Sequence, residues 1–161
     1  MPDIGEGGGG LRRLLLAVLL FGMVGLAAEL VLLDHVEPGW QWVPLVALAL
    51  GSVAGAALLL RPSAATVRAF QVMMALFVAA GVLGMYLHIR GNAQFELEMD
   101  PGMRGLALVW EVLRGATPSL APGTLAHFGL LGLACTYRHP ALRREPSPRG
   151  ATGAAPIHTE I

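Results

Sequence analysis

The residues with chemistry to offer are Glu29, His88 and His127, with His35 and Glu37 close after the first. Glu29 lies inside the apolar run AAELVLL, His88 inside MYLHIR and His127 inside LAHFGLL. An ionisable group within a membrane span is expensive, and by default it marks a functional candidate. Three chemistries suit these residue types. Imidazole and carboxylate together can ligate a divalent metal, and bundles build such sites from facing helices. Two histidines on different helices, His88 and His127, could hold a haem iron axially. Glu29 beside a histidine could relay protons or bind a polar ligand, because histidine changes charge near neutral pH.

No HxxxH, ExxH or HExxH spacing occurs, so a metal held by Glu29, His88 and His127 must draw on distant segments. No cofactor is expected on these grounds. The simpler expectation is structural. Glu29 is then held by hydrogen bonds to Ser52, Gln71, Tyr86 or a histidine, and His35 and Glu37 are solvated loop residues. Other signatures are missing. Gly7–Gly10 lack the lysine and hydroxyl of a phosphate loop, 96–100 lacks a DxDxDG calcium loop, and no GxSxG appears.

The elements that must position these residues are apolar. The chain is 55% hydrophobic and 14% charged over 161 residues, with a mean hydropathy of +0.62. Soluble domains carry about 25% charged residues. The net charge is zero, so no overall field favours nucleic acid. All 11 basic residues are arginine, and Cys135 is the only cysteine, which excludes an intrachain disulfide.

A span needs about 20 apolar residues. The pattern predicts spans over 14–33, 43–60, 66–89 and 118–138. A disordered tail is expected over 1–13 and another over 139–161. The first span also resembles a signal peptide, with Arg12-Arg13 before an apolar core. Its apolar run continues through Leu33, past the small residues Ala27-Ala28, which favours an uncleaved span. Trp40 and Trp42 suit the headgroup level. Gly51 and Gly55 form a GxxxG pair that permits close helix packing. Gln71 requires a polar partner, and Met73-Met74 read as packing residues.

Between spans three and four lies an outer loop, 90–117. Its 95–100 stretch, FELEMD, alternates apolar and acidic residues and reads as an extended segment. From 103 to 114 the period becomes helical. Leu106, Val109, Trp110 and Leu113 share one face and Arg104, Glu111 and Arg114 the other, which suits a helix lying in the membrane interface. The last span can open at Pro118 or at Pro122, and the longer version is expected because it reaches full spanning length.

The side with both termini and the 61–68 turn holds eight arginines: 12, 13, 61, 68, 138, 143, 144 and 149. The other holds Arg90, Arg104 and Arg114. The positive-inside rule then places both termini in the cytoplasm of a plasma or inner membrane. In that arrangement Glu29, His88 and His127 fall at similar depth near the outer leaflet. Glu29 shares a helix face with Gly25 and Gly22, and His88 with Gly84 and Gly81. Glycine faces are contact faces in membranes, so both groups are expected to point into the bundle.

The fold expected is all-α, a four-span antiparallel transmembrane bundle with a short interfacial helix in the second outer loop. The leading functional expectation is non-enzymatic: an accessory or scaffold subunit of a membrane assembly. Its partners are the lipid bilayer and either a second copy or another membrane protein, met through glycine-rich faces. A metal-, haem- or polar-ligand site of Glu29, His88 and His127 is the alternative. An oligomeric transporter or proton pathway through Glu29 is the third reading.

Overall fold

The structure is a computed structural model that describes residues 4–34, 39, 41–115 and 117–143, with side chains from residue 8 onward. Its described residues form five α-helices, α1 (Ile4–Leu32), α2 (Trp42–Leu60), α3 (Ala64–Met99), α4 (Gly105–Arg114) and α5 (Gly123–Thr136), and a 3-10 turn over Pro140–Leu142. There is no strand among them. Three helices are long and apolar enough to cross a membrane: Gly8–Leu32 within α1, all of α2, and α3. The molecule is an all-helical, membrane-compatible protein.

Helices α1, α2 and α3 run antiparallel in turn, and α5 lies along α3 and α1. The core is where they meet: Leu19, Met23, Leu48, Val67, Phe70, Met74 and Phe77 are all fully buried. Phe21, Val24, Val53, Val72 and Leu76 point outward from the same helices. An apolar exterior of this kind is the surface a protein presents to lipid.

The GxxxG pair of α2 is used within the chain. A side chain at Gly51 would strike the Phe77 ring, and one at Gly55 would meet Leu20 and Phe70. Two glycines thus seat α2 against both α1 and α3. The α3–α5 contact is closer still. A Cβ at Gly81 would fall 2.6 Å from the Ala126 backbone nitrogen, and one at Gly129 would fall 2.9 Å from that of Val78. Backbone meets backbone there, which only small residues permit.

Four boundaries differ from the sequence expectation, each for a local reason. α1 begins at Ile4, inside the segment 1–13 expected to be disordered. No proline or cap interrupts that stretch, and extending an existing helix costs less than nucleating one. α3 continues to Met99, so 95–100 is helical rather than extended. Arg90-Gly91-Asn92 does not stop it, since one glycine costs only about 1 kcal/mol. The stop is Pro101, which forces Asp100 into the extended region (φ −138°). At its other end Ser63 caps α3, accepting from the Thr66 amide, while the Thr66 hydroxyl accepts from the Ser63 amide.

α5 starts at Gly123 and not at Pro118, so it is 14 residues long rather than a full span of 118–138. A helix opened at Pro118 would need the amide of residue 122 for its first bond, and Pro122 has none. The chain makes tighter turns instead, Ala121 N to Pro118 O (3.3 Å) and Gly123 N to Leu120 O (2.9 Å). Finally, the segment after Tyr137 is ordered as far as Arg143. Ala141 and Leu142 pack on the core, although 139–161 was expected to be disordered. Residues 144–161 lie outside the described residues.

Candidate functional site

Glu29 sits one turn before the end of α1, and it is exposed. Its helix neighbours explain why. Gly22 faces inward, 3.0 Å from the Phe128 ring when given a Cβ, but Gly25 meets nothing. The inward face of α1 is Leu16, Leu19, Met23 and Leu26–Ala27, and Glu29 falls beyond its edge. The expectation that Glu29 points into the bundle is therefore corrected. None of the hydrogen bonds expected to Ser52, Gln71 or Tyr86 forms. Ser52 turns to the Met23 sulfur (3.9 Å), and Gln71 donates to the Thr136 hydroxyl (3.4 Å).

His88 is half-buried at the α3–α5 side, and its Nδ1–H donates to the Pro118 carbonyl (3.1 Å). His127 is exposed on α5, and its Nδ1–H donates to the Gly123 carbonyl one turn back (3.0 Å). The helix register shows that the three candidates do not share a depth. Ala126 is level with Gly81, and Pro122 with Gly84. His127 therefore lies about eight residues, or ~12 Å, along α3 from His88. Phe128 is level with Gly22, which separates Glu29 from His127 by ~9 Å along the axis. Among the described residues no three His, Cys, Asp or Glu side chains gather as a metal would need. His35 and Glu37 lie outside the described residues.

The polar centre that does form is built on Asn92. This residue is 3% exposed, in the part of α3 that continues past the apolar body. Its Nδ2 donates to the Thr117 carbonyl (2.7 Å), the Val112 carbonyl (3.0 Å) and Ser119 Oγ (3.0 Å). An amide nitrogen has only two hydrogens, so one of them is shared. Its Oδ1 accepts from the Thr117 hydroxyl (2.7 Å) and amide (3.2 Å). Ser119 Oγ closes the ring by donating to the Val112 carbonyl (2.9 Å). Gly115 lies so close that a Cβ there would come within 2.6 Å of Asn92 Cγ.

One side chain thus fastens the end of α4, and Thr117 and Ser119 on the way to α5, to α3. No charged group enters the network, and each of its bonds ties one segment of the chain to another. Sequence reading placed Asn92 in the outer loop 90–117. A signal for it existed, because Gly81, Gly84, His88 and Asn92 continue one face at helical spacing.

Comparison with protein-family models, characterised proteins and solved structures found no match.

The clamp leaves α4 with its apolar face turned out. Leu106 is 86% exposed, and Val109, Trp110 and Leu113 are exposed beside it, while only Val112 is buried. Arg114 stacks over Trp110 at 5.7 Å. The expected amphipathic helix is present, aimed away from the bundle.

Proposed function

We propose that this protein is an accessory or scaffold subunit of a membrane assembly, and that α1 is the helix it offers to its partner. The observation that carries this reading is the outward position of Glu29. Phe21, Gly25, Ala28, Glu29 and Leu32 form one exposed face at helical spacing. Glu29 is the only charge on it, and no hydrogen bond or ion pair satisfies it among the described residues. A carboxyl beside lipid favours a polar or basic group on a neighbouring helix, and the small residues Gly25 and Ala28 permit that helix to approach.

In this reading the chain crosses the membrane four times, with α5 (Gly123–Thr136) and the turns that lead into it from Pro118 as the last crossing. Both termini lie in the cytoplasm of a plasma or inner membrane, as the arginine distribution favours. The bond from Arg12 Nη2 to the Tyr137 carbonyl (3.0 Å) supports an even number of crossings, because it puts the start of α1 beside the end of α5.

The test is native mass spectrometry of the protein in lipid discs cut directly from its own membrane. Wild type should appear in a complex well above its 16.9 kDa, and Glu29→Leu should release the single chain. A whole multiple of that mass identifies a second copy as the partner. A wild-type chain that is solitary in its own lipid removes the proposal.

A further inference from the structure

At the end of the bundle opposite Glu29, α1, α2 and α5 part around an open cleft of about 510 Å³. Its lining divides in two. Leu16, Leu58 and Leu59 form an apolar wall, and Arg12, Arg13, Arg138 and Arg143 form a basic rim. The acids whose side chains are described, Glu29, Asp34, Glu96, Glu98, Asp100 and Glu111, all belong to the other end of the molecule; Glu6 stands in α1 ahead of Arg12. None of the four arginines has an ion-pair partner among the described residues.

Two details show that the rim is ordered. Arg12 is half-buried and anchored through Nη2 on the Tyr137 carbonyl, which leaves its other N–H groups available. Arg138 takes a left-handed backbone conformation (φ 49°), a position that favours glycine, and lies over the Tyr137 ring at 5.3 Å. An arginine thus occupies a backbone position that favours glycine.

From this arrangement we infer that the cleft binds the phosphate headgroup of an anionic phospholipid. Guanidinium forks match phosphate oxygens in a bidentate way, and basic pockets between membrane helices recognise such headgroups. The apolar wall decides between the two sources of phosphate. A free phosphate ion gains nothing from Leu16, Leu58 and Leu59, whereas a lipid lays its glycerol and upper acyl chain there. The volume also suits a headgroup, since ligand sites occupy roughly 300–1,000 Å³. The cleft opens where the apolar bodies of α1 and α2 end, at Arg13 and Arg61, which is the level of a leaflet's phosphates.

The experiment uses the full chain in detergent and reads thermal unfolding. The probes are short-chain phosphatidylglycerol, short-chain phosphatidylcholine and inorganic phosphate. Phosphatidylglycerol should raise Tm saturably, and the other two should not. The double variant Arg13→Gln with Arg143→Gln removes two exposed rim charges that make no hydrogen bond within the described chain. It should weaken the phosphatidylglycerol Kd about thirtyfold. Arg61→Gln with Arg68→Gln removes the same charge from the same end outside the cleft, and should change Kd less than about threefold. The inference is overturned if phosphatidylcholine or free phosphate stabilises equally, if phosphatidylglycerol does not stabilise wild type, or if the two double variants lose binding alike.

Discussion

Replacing Asn92 with alanine should release α4 without unfolding the bundle. Worked from the structure, the substitution deletes the Nδ2 donor to Val112 O, Thr117 O and Ser119 Oγ, and the Oδ1 acceptor for Thr117 N and Oγ1. Not all of these are lost outright. Val112 O keeps its bond from Ser119 Oγ, and exposed Thr117 can turn to water. Two to three effective bonds at about 1 kcal/mol each, plus a poorly hydrated Ser119, give about 2–4 kcal/mol. α4 packs chiefly on α3, so the loss should be local. The assay is amide hydrogen exchange in detergent. Amides of 108–114 should exchange about 30- to 700-fold faster, while those of 67–81 in α3 stay within about threefold. Asn92→Asp should be at least as damaging, because it points a second acceptor at two carbonyl oxygens. An Asn92→Ala protein whose 108–114 amides exchange at the wild-type rate would falsify the clamp.

Further outcomes follow from the helix contacts and from the 3-10 turn. Gly81→Ala and Gly129→Ala each push a methyl into opposing backbone and should cost about 1–3 kcal/mol in detergent unfolding, whereas Gly25→Ala, which meets nothing, should be neutral to within about 0.5 kcal/mol. Equal effects at all three positions would contradict the α3–α5 register. Burial holds the His139 imidazole below its ordinary pKa, and the Arg12 guanidinium lowers it further. Its Nδ1 must be unprotonated to accept from the Ala141 amide (3.2 Å). The unfolded segment therefore binds a proton that the folded one resists. Its stability is fully present above about pH 6.5 and falls as pH drops below that value. Protection of the Ala141 amide, corrected for intrinsic exchange, should fall between about pH 7.5 and 5.5, and His139→Gln should remove the dependence. A flat wild-type profile would show that the turn does not rely on this histidine.

Where the fold was legible in the sequence, a single physical rule governed the segment. α2 was placed to within one residue because hydropathy and Arg61-Pro62 bound it on their own. α4 was placed because its period is helical and Pro101-Gly102 precedes it. The sequence failed where two rules competed. FELEMD alternates like a strand, but it continues a helix already under way, and continuation wins until Pro101. Pro118 and Pro122 both suit a helix start, and the missing amide of Pro122 decides in favour of the later one. The candidate site suffered most. Glycine spacing correctly identified the His88 face, which packs on α5 through Gly81 and Gly84. The same argument misdirected Glu29, because Gly25 faces open space and only Gly22 touches a neighbour. Periodicity gives a face, and only the packed partners reveal whether that face looks inward.

The continuation of α3 also has a mechanical side. At 36 residues the helix is ~54 Å long, against a hydrocarbon layer of ~30 Å. Set in such a layer it would act as a stiff lever, with Asn92 clamping α4 onto the part beyond the layer. A tilt of only about 10° about a point in mid-layer would sweep the far tip of such a rod through ~7 Å. Bilayer thickness changes helix tilt, so thinning or thickening of the lipid would be converted into a lateral stroke of α4 and its exposed tryptophan. That motion can be followed by a distance probe between α4 and the start of α3.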